Sequence, residues 1–152
     1  MTTAGYVVER RGDFELSTDP SHLDRALIHR FLSEQSYWAT GVPRAVVDRS
    51  IEHSVCFGVY HAGAQVAFAR VVTDRATFAY LADVFVLPEY RADGLGQWMI
   101  SIVLRHPELQ GLRRFLLATK DAHGLYARFG FVPLANPMRF LERFDPDVYA
   151  GS

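Results

Sequence analysis

Residues 78–96 constrain the chain more than any other stretch. Residues 78–87 form a long apolar run interrupted by Asp83, the pattern of a central strand buried on both faces. Then come Pro88-Glu89-Tyr90-Arg91-Ala92-Asp93-Gly94-Leu95-Gly96 and a helical stretch over 97–106, which Pro107 ends. A strand that delivers such a loop into a helix amino terminus gathers unpaired backbone N–H groups and about half a positive charge at one point. That point suits a phosphate anion. Gly94 and Gly96 have no side chain, so the backbone can curl tightly and approach a pyrophosphate. Arg91 adds a permanent cation. A Walker loop is excluded, because Gly96 is followed by Gln97, and only one Gly-X-Gly pair of a dinucleotide fingerprint is present. By itself the loop reads equally well as a tight strand-to-helix turn.

Around this unit, residues 6–9 and 14–17 flank the polar turn Arg10-Arg11-Gly12-Asp13 and predict an opening strand or a bent hairpin. Asp19 or Ser21 can cap a first helix whose inward stripe is Leu23, Ala26, Leu27, Arg30 and Phe31. A second helix is expected from Pro43 through His53, with Val46, Val47 and Ile51 inward. Residues 55–60 and 65–72 read as a hairpin around Gly63, 115–118 as a short strand and 121–129 as a short helix ended by Gly130. Residues 131–133 and 138–141 are expected to supply closing strands. The order β-α-α-β-β-β-α-β-α-β-β mixes hairpins with one crossover, so the fold class is α/β with a mixed sheet, and residues 1–152 read as one domain.

Composition narrows the function classes. A formal net charge of -1 in 152 residues argues against a nucleic-acid partner, which would call for a basic excess. No apolar run reaches the roughly 18–20 residues needed to span a bilayer, so no membrane partner is expected. The amino terminus lacks a signal-peptide pattern, which leads to the expectation of a cytoplasmic location. Lone Cys56 cannot form an internal disulfide, and the composition offers no metal staple.

The run Val86-Leu87-Pro88-Glu89-Tyr90-Arg91-Ala92-Asp93-Gly94-Leu95-Gly96 resembles the Val-x-Pro-x-x-Arg and Gly-x-Gly loop of the GNAT superfamily of acetyl-CoA-dependent N-acyltransferases. The later run Leu125-Tyr126-Ala127-Arg128-Phe129-Gly130-Phe131 resembles its second marker, Leu-Tyr-x-x-x-Gly-Phe. The resemblance is carried by residues 55–133, and the fold it implies takes in the whole chain. It implies a mostly antiparallel sheet of six or seven strands with about four helices and splayed central parallel strands. It also implies acetyl-CoA as co-substrate, an amine acceptor, and a possible homodimer. The loop departs from the family pattern at Ala92-Asp93, where a carboxylate would either repel the pyrophosphate or cap the following helix; the cap is favoured.

By the same resemblance, Arg91, Ala92, Asp93, Gly94, Leu95 and Gly96 hold the pyrophosphate, while backbone N–H groups of Val84, Phe85 and Val86 polarise the acetyl carbonyl. Tyr126 is then the candidate general acid, since a phenol with pKa near ~10 is protonated at neutral pH and can donate to a leaving thiolate. Asp83, the one acid in its apolar stretch, is the candidate base; a structural carboxylate bonded to backbone or an arginine is an equal reading. Strand parity would turn Asp83 away from the family's usual base face unless a bulge intervenes. Asp121 loosely matches a pantetheine-binding position or caps a helix, and His123 lies one helical turn before Tyr126. Tyr37 and Trp38, after the first helix, either wall an amine site or plug the core. Cys56 lies on another strand, which leaves no support for an acyl-cysteine intermediate. Direct transfer in a ternary complex is therefore expected, and a non-catalytic module that binds CoA is the alternative.

Overall fold

The computed structural model describes residues 2–3 and 5–151. Strands β1 (Thr2–Thr3), β2 (Tyr6–Arg11), β3 (Phe14–Ser17), β4 (Val55–His61), β5 (Ala64–Thr73), β6 (Phe78–Val86) and β7 (Arg114–Leu117) form one sheet in that spatial order. All neighbours are antiparallel except β6 and β7, which run parallel. Helix α1 (Arg25–Glu34) and α2 (Arg44–Glu52) precede β4. Helix α3 (Leu95–Arg105) makes the crossover to β7, and the short α4 (His123–Ala127) follows it. The mixed sheet expected from the sequence is present.

The alternation of each strand divides the interior in two. On β4, Val55, Phe57 and Val59 pack with Leu95, Met99 and Val103 of α3. Cys56, on the opposite face, joins Phe68, Ile28 and Phe31 beneath α1 and α2. The predicted helix stripe was one residue out of phase: Ile28, Phe31 and Leu32 are the buried positions of α1, while Ala26 and Arg30 are exposed. Asp24 caps α1 by accepting from Leu27 N, and Asp19 caps only the preceding turn. An expected cap was displaced because the chain first makes one short 3-10 turn at Pro20–His22.

Strand β6 is the element that positions the site. Phe85 pairs with Phe68, yet Ala82 pairs with Arg70, so β6 carries one extra residue, a β-bulge. Asp83 sits at that bulge with φ of 55°, the left-handed region that aspartate tolerates better than most residues. The bulge reverses the strand's parity. Before it, Ala79 and Leu81 face the α3 side; after it, Phe85 faces α1 and α2 and stacks on Phe31 at 4.0 Å. The strand is therefore not uniformly buried on both faces, as its apolar run suggested; positions 80, 82, 83, 84 and 86 are half-buried.

The expected closing strands are absent. Residues 131–133 and 138–141 run as irregular chain around a 3-10 turn at Pro137–Arg139. Pro133 and Pro137 supply no N–H for a ladder, and beyond Phe131 the apolar side chains Val132, Met138 and Leu141 stay exposed, so little burial offsets the entropy of ordering the segment.

Candidate active site

The β6–β7 ladder stops at Leu81–Leu117, whereas β6 continues to Val86. Beyond Leu81, one edge of β6 therefore faces no strand among the described residues. Leu87 N donates to Val66 O on β5, and N–H direction alternates along a strand. The amide of Phe85 thus faces the β5 ladder, and those of Val84 and Val86 face the open edge. Of the three strand positions expected to offer a backbone donor, Phe85 is corrected: its amide is turned to β5 and its ring is in the core.

The loop that follows is a 3-10 turn, Pro88–Asp93, ending at Gly94 with φ of 69°. Gly94 is the N-cap of α3 and no side chain caps the helix, so the cap favoured for Asp93 is not formed. Trp98 N already donates to Gly94 O, leaving the N–H groups of Leu95, Gly96 and Gln97 as first-turn donors. Arg91 does not point its whole fork outward; its Nε donates to Val86 O at 2.9 Å, covering a carbonyl on the open edge. Arg11, read from sequence only as part of a polar turn, reaches the loop from the β2–β3 turn. Its guanidinium donates to Asp93 O and, at 3.5 Å, to Gly94 O, and lies 5.5 Å from the Trp98 ring centroid. A peptide's C=O and N–H point opposite ways. By holding the carbonyls of residues 93 and 94, Arg11 directs the amides of Gly94 and Leu95 away from itself.

Beside the open edge lies a cleft of about 940 Å³, lined by Tyr80, Asp83, Val84, Thr119, Asp121 and Tyr126 among others. A depression of about 510 Å³ near Tyr60 and Gly63 shares no lining residue with it. Tyr126 is nearly buried. Gly130, with φ of 88°, ends α4 and lets Phe131 N donate back to Tyr126 O. The Phe131 ring meets the Tyr126 ring edge-on at 5.9 Å. Burial, then the neighbouring Tyr37, pushes the Tyr126 phenol above its ordinary pKa, so the hydroxyl keeps its proton at neutral pH. The Tyr126 hydroxyl makes no hydrogen bond among the described residues.

Asp83 sits at the bulge and lines the cleft. Its carboxylate accepts from Arg70 Nε at 2.8 Å and from Trp38 Nε1 at 2.9 Å. Arg70 also donates to Ser54 Oγ at 3.1 Å. Arg70 was not singled out in the sequence; its signal is the cross-strand pairing with Ala82, beside the bulge. Tyr37 and Trp38 both line the cleft, with ring centroids 5.1 Å apart. Tyr37 Oη accepts from Lys120 N at 3.1 Å, while Lys120 Nζ stands 5.2 Å from its ring centroid. The two aromatics thus tie the α1–α2 connection to β6 and to the β7–α4 loop rather than plug the core. Asp121 is exposed at the cleft and caps no helix. His123 is exposed and outside the lining. Residues 144–149, which the sequence did not flag, supply Phe144, Asp145, Pro146, Val148 and Tyr149 to the wall.

Cys56 is buried and outside the cleft. Burial pushes its thiol up to about 12, so it offers no thiolate at neutral pH. Among the described residues, no group of three His, Cys, Asp or Glu could hold a metal ion. Nor is any described helix long and apolar enough to cross a membrane.

The family described as acetyltransferase (GNAT) domain matches residues 52–133, which span β4 through Pro133 and so include every backbone element of the open edge. A protein of Gibberella zeae that bears the name "putative acetyltransferase" is 34% identical over 140 residues, covering 78% of each chain. A crystal structure from Xanthomonas campestris, titled a putative acetyltransferase of the GNAT family, is 56% identical with a TM-score of 0.89; the match covers 90% of this chain and 96% of that one. A Deinococcus radiodurans structure, also titled a putative acetyltransferase, shares the fold at TM-score 0.73 and 20% identity, covering 96% and 99% of the two chains.

Proposed function

The chain belongs to the GNAT acetyltransferase family and is an acyltransferase, and on that premise we propose that it moves an acetyl group from acetyl-CoA to a primary amine of a small molecule, by direct transfer in a ternary complex. The observation that carries the proposal is the ladder ending at Leu81 while β6 runs on to the glycine loop. Unpaired backbone amides are costly unless something fills the gap, and a pantetheine arm offers the amide partners an added strand would. The residues fit the rest of such a donor. The α3 amino terminus presents its free N–H groups without a side chain at Gly94 or Gly96, and a Cβ built on Gly96 would stand 3.8 Å from Val86 Cγ2. Gly94, Leu95 and Gly96 are assigned to the pyrophosphate, with Arg91 and Arg11 fixing the backbone around them.

When bound, acetyl-CoA supplies an activated thioester. The chain's own residues do the remainder. The open-edge amides of Val84 and Val86 are assigned to donate to the acetyl carbonyl oxygen, where negative charge develops. Tyr126 holds a proton beside the cleft and is assigned to give it to the leaving sulfur. Asp83 has one donor on each carboxylate oxygen and a second lone pair left on each. It is assigned to receive the proton of the amine, directly or through water. Asp121 is assigned to the pantetheine side, and Tyr37 and Trp38 to the acceptor side. The buried, protonated Cys56 supports transfer without an acyl-enzyme.

Calorimetric titration with acetyl-CoA, followed by a thiol-release screen across aryl, alkyl, amino-acid, polyamine and peptide amines, tests the reading. Binding with thiol release on at least one amine is expected. No heat with acetyl-CoA would overturn it, and binding without release on any amine would favour a CoA-binding module.

A further inference from the structure

The carboxyl-terminal segment is exposed along much of its length but is not loose at its ends. Near its start, the Arg114 guanidinium sits 4.7 Å from the Phe140 ring centroid. At its far end, Tyr149 packs against the cluster beneath α1 and α2. Its carbonyl oxygen lies 3.6 Å from where a Cβ on Gly41 would stand. Between the two pins, Phe144, Asp145, Pro146 and Val148 line the cleft, although Phe144 is 72% exposed and Val148 56%. Among the described residues, the hydrogen bonds of 144–150 are their own: Asp147 N to Asp145 Oδ1, Val148 N to Asp145 O, and Ala150 N to Asp147 O. The segment is thus a self-bonded knuckle around Pro146, held against the body by the packing of Tyr149 and its carbonyl beside Gly41. Two half-exposed aromatics, Tyr37 and Trp38, line the same cleft from the α1–α2 connection.

We propose that residues 144–149 form a strap over the acceptor half of the cleft, pinned by Tyr149, and that Phe144 and Val148 select acceptors with an apolar body. This deepens the acetyl-transfer reading and rests on it for the identity of the reaction. Apolar groups on both walls gain by covering one another or a ligand body. The charged groups disfavour an anionic acceptor: Arg70 is held by Asp83, Lys120 stands over Tyr37, and Asp121 and Asp145 carry like charge at the wall. The class that fits is a primary amine on an aryl-alkyl or branched alkyl group, without phosphate.

The test has two arms. The chain holds two tryptophans, so a Trp98→Phe background leaves Trp38 as the reporter. In that background, Tyr149→Ala and a chain ending at residue 143 are each expected to raise acrylamide quenching of Trp38 about twofold, as a locally opened cover would. This arm needs no catalysis. In the native background, with acetyl-CoA saturating, Tyr149→Ala and Phe144→Ala are expected to raise the KM for phenethylamine about tenfold while leaving that for methylamine unchanged, with the calorimetric Kd for acetyl-CoA also unchanged. Unchanged quenching in both shortened and Tyr149→Ala chains overturns the strap. Raised quenching with an unchanged phenethylamine-to-methylamine ratio overturns its role in selection. If wild-type protein binds no acetyl-CoA, the acetyl-transfer reading fails while quenching still decides the strap.

Discussion

The loop around Gly94 and the wall around Trp38 are made of different material. The loop is backbone: the open-edge amides of Val84 and Val86 and the first-turn amides of α3 offer N–H groups, while Arg11 and Arg91 only brace the carbonyls around them. The wall is side chain, assembled from the α1–α2 connection, β5, β6, the β7–α4 loop and residues 144–149. Backbone donors accept any diphosphate of suitable shape, whereas a wall of Tyr37, Trp38 and Phe144 changes with each substitution. The donor end of such an enzyme can therefore stay constant while the acceptor end is rebuilt.

Several variants would break or sharpen that division. Tyr126→Phe, which keeps the ring against Phe131 but removes the proton, is expected to lower kcat by about 10²-fold or more with calorimetric acetyl-CoA affinity intact; an unchanged kcat would remove Tyr126 from the chemistry. Asp83→Asn should reduce kcat/KM at pH 7 by about tenfold or more. The deficit should shrink as pH rises, because more of the amine is then already free base. A pH–rate profile parallel to that of the unaltered protein would leave Asp83 only its bonds to Arg70 and Trp38. At the backbone end, Gly94→Val forces a β-branched residue to φ of 69°, a cost of about 1–2 kcal/mol. Its calorimetric Kd for CoA should rise roughly tenfold, with amine selectivity unmoved.

Arg11→Ala releases two carbonyls at the surface and should weaken CoA binding only about three- to tenfold, without altering the ratio between amines. A shift in that ratio would show that the two ends are not separable. The smallest effect is in stability and touches neither end. Burial holds the His106 imidazole below its ordinary pKa, and its Nδ1 accepts from Glu108 N. The unfolded chain therefore binds the proton more readily, and stability present above about pH 6.5 declines as pH falls below it. Thermal melts between pH 7 and 5 should show the decline, and His106→Gln should flatten it.

The same division decides what could be read from the residues alone. The glycine loop, the strand before it and the Tyr126 run were legible because each is local: spacing, an apolar run and a helix end lie within a few positions. The Asp83–Arg70 pair was half legible. A buried carboxylate calls for a partner, but which arginine answers depends on a bulge that nothing in the apolar run announces. Phe85 fails as an edge donor for a simpler reason, since successive N–H groups alternate and three neighbours cannot all face one edge; the bulge decides only that its ring enters the core beneath α1 and α2. Residues 144–149 were not legible as a wall, because their place depends on where α1 and α2 turn, about a hundred residues earlier. The closing strands failed through Pro133 and Pro137, a local signal given too little weight.

The left-handed backbone at Asp83 has a consequence for any survey of substitutions. Asparagine and glycine occupy such a conformation readily, whereas valine, isoleucine or leucine would strain it whatever their polarity. A library randomised at this codon should thus enrich two residues for shape before charge enters, and alanine there would report on geometry and chemistry at once. Asparagine is the replacement that keeps the two apart.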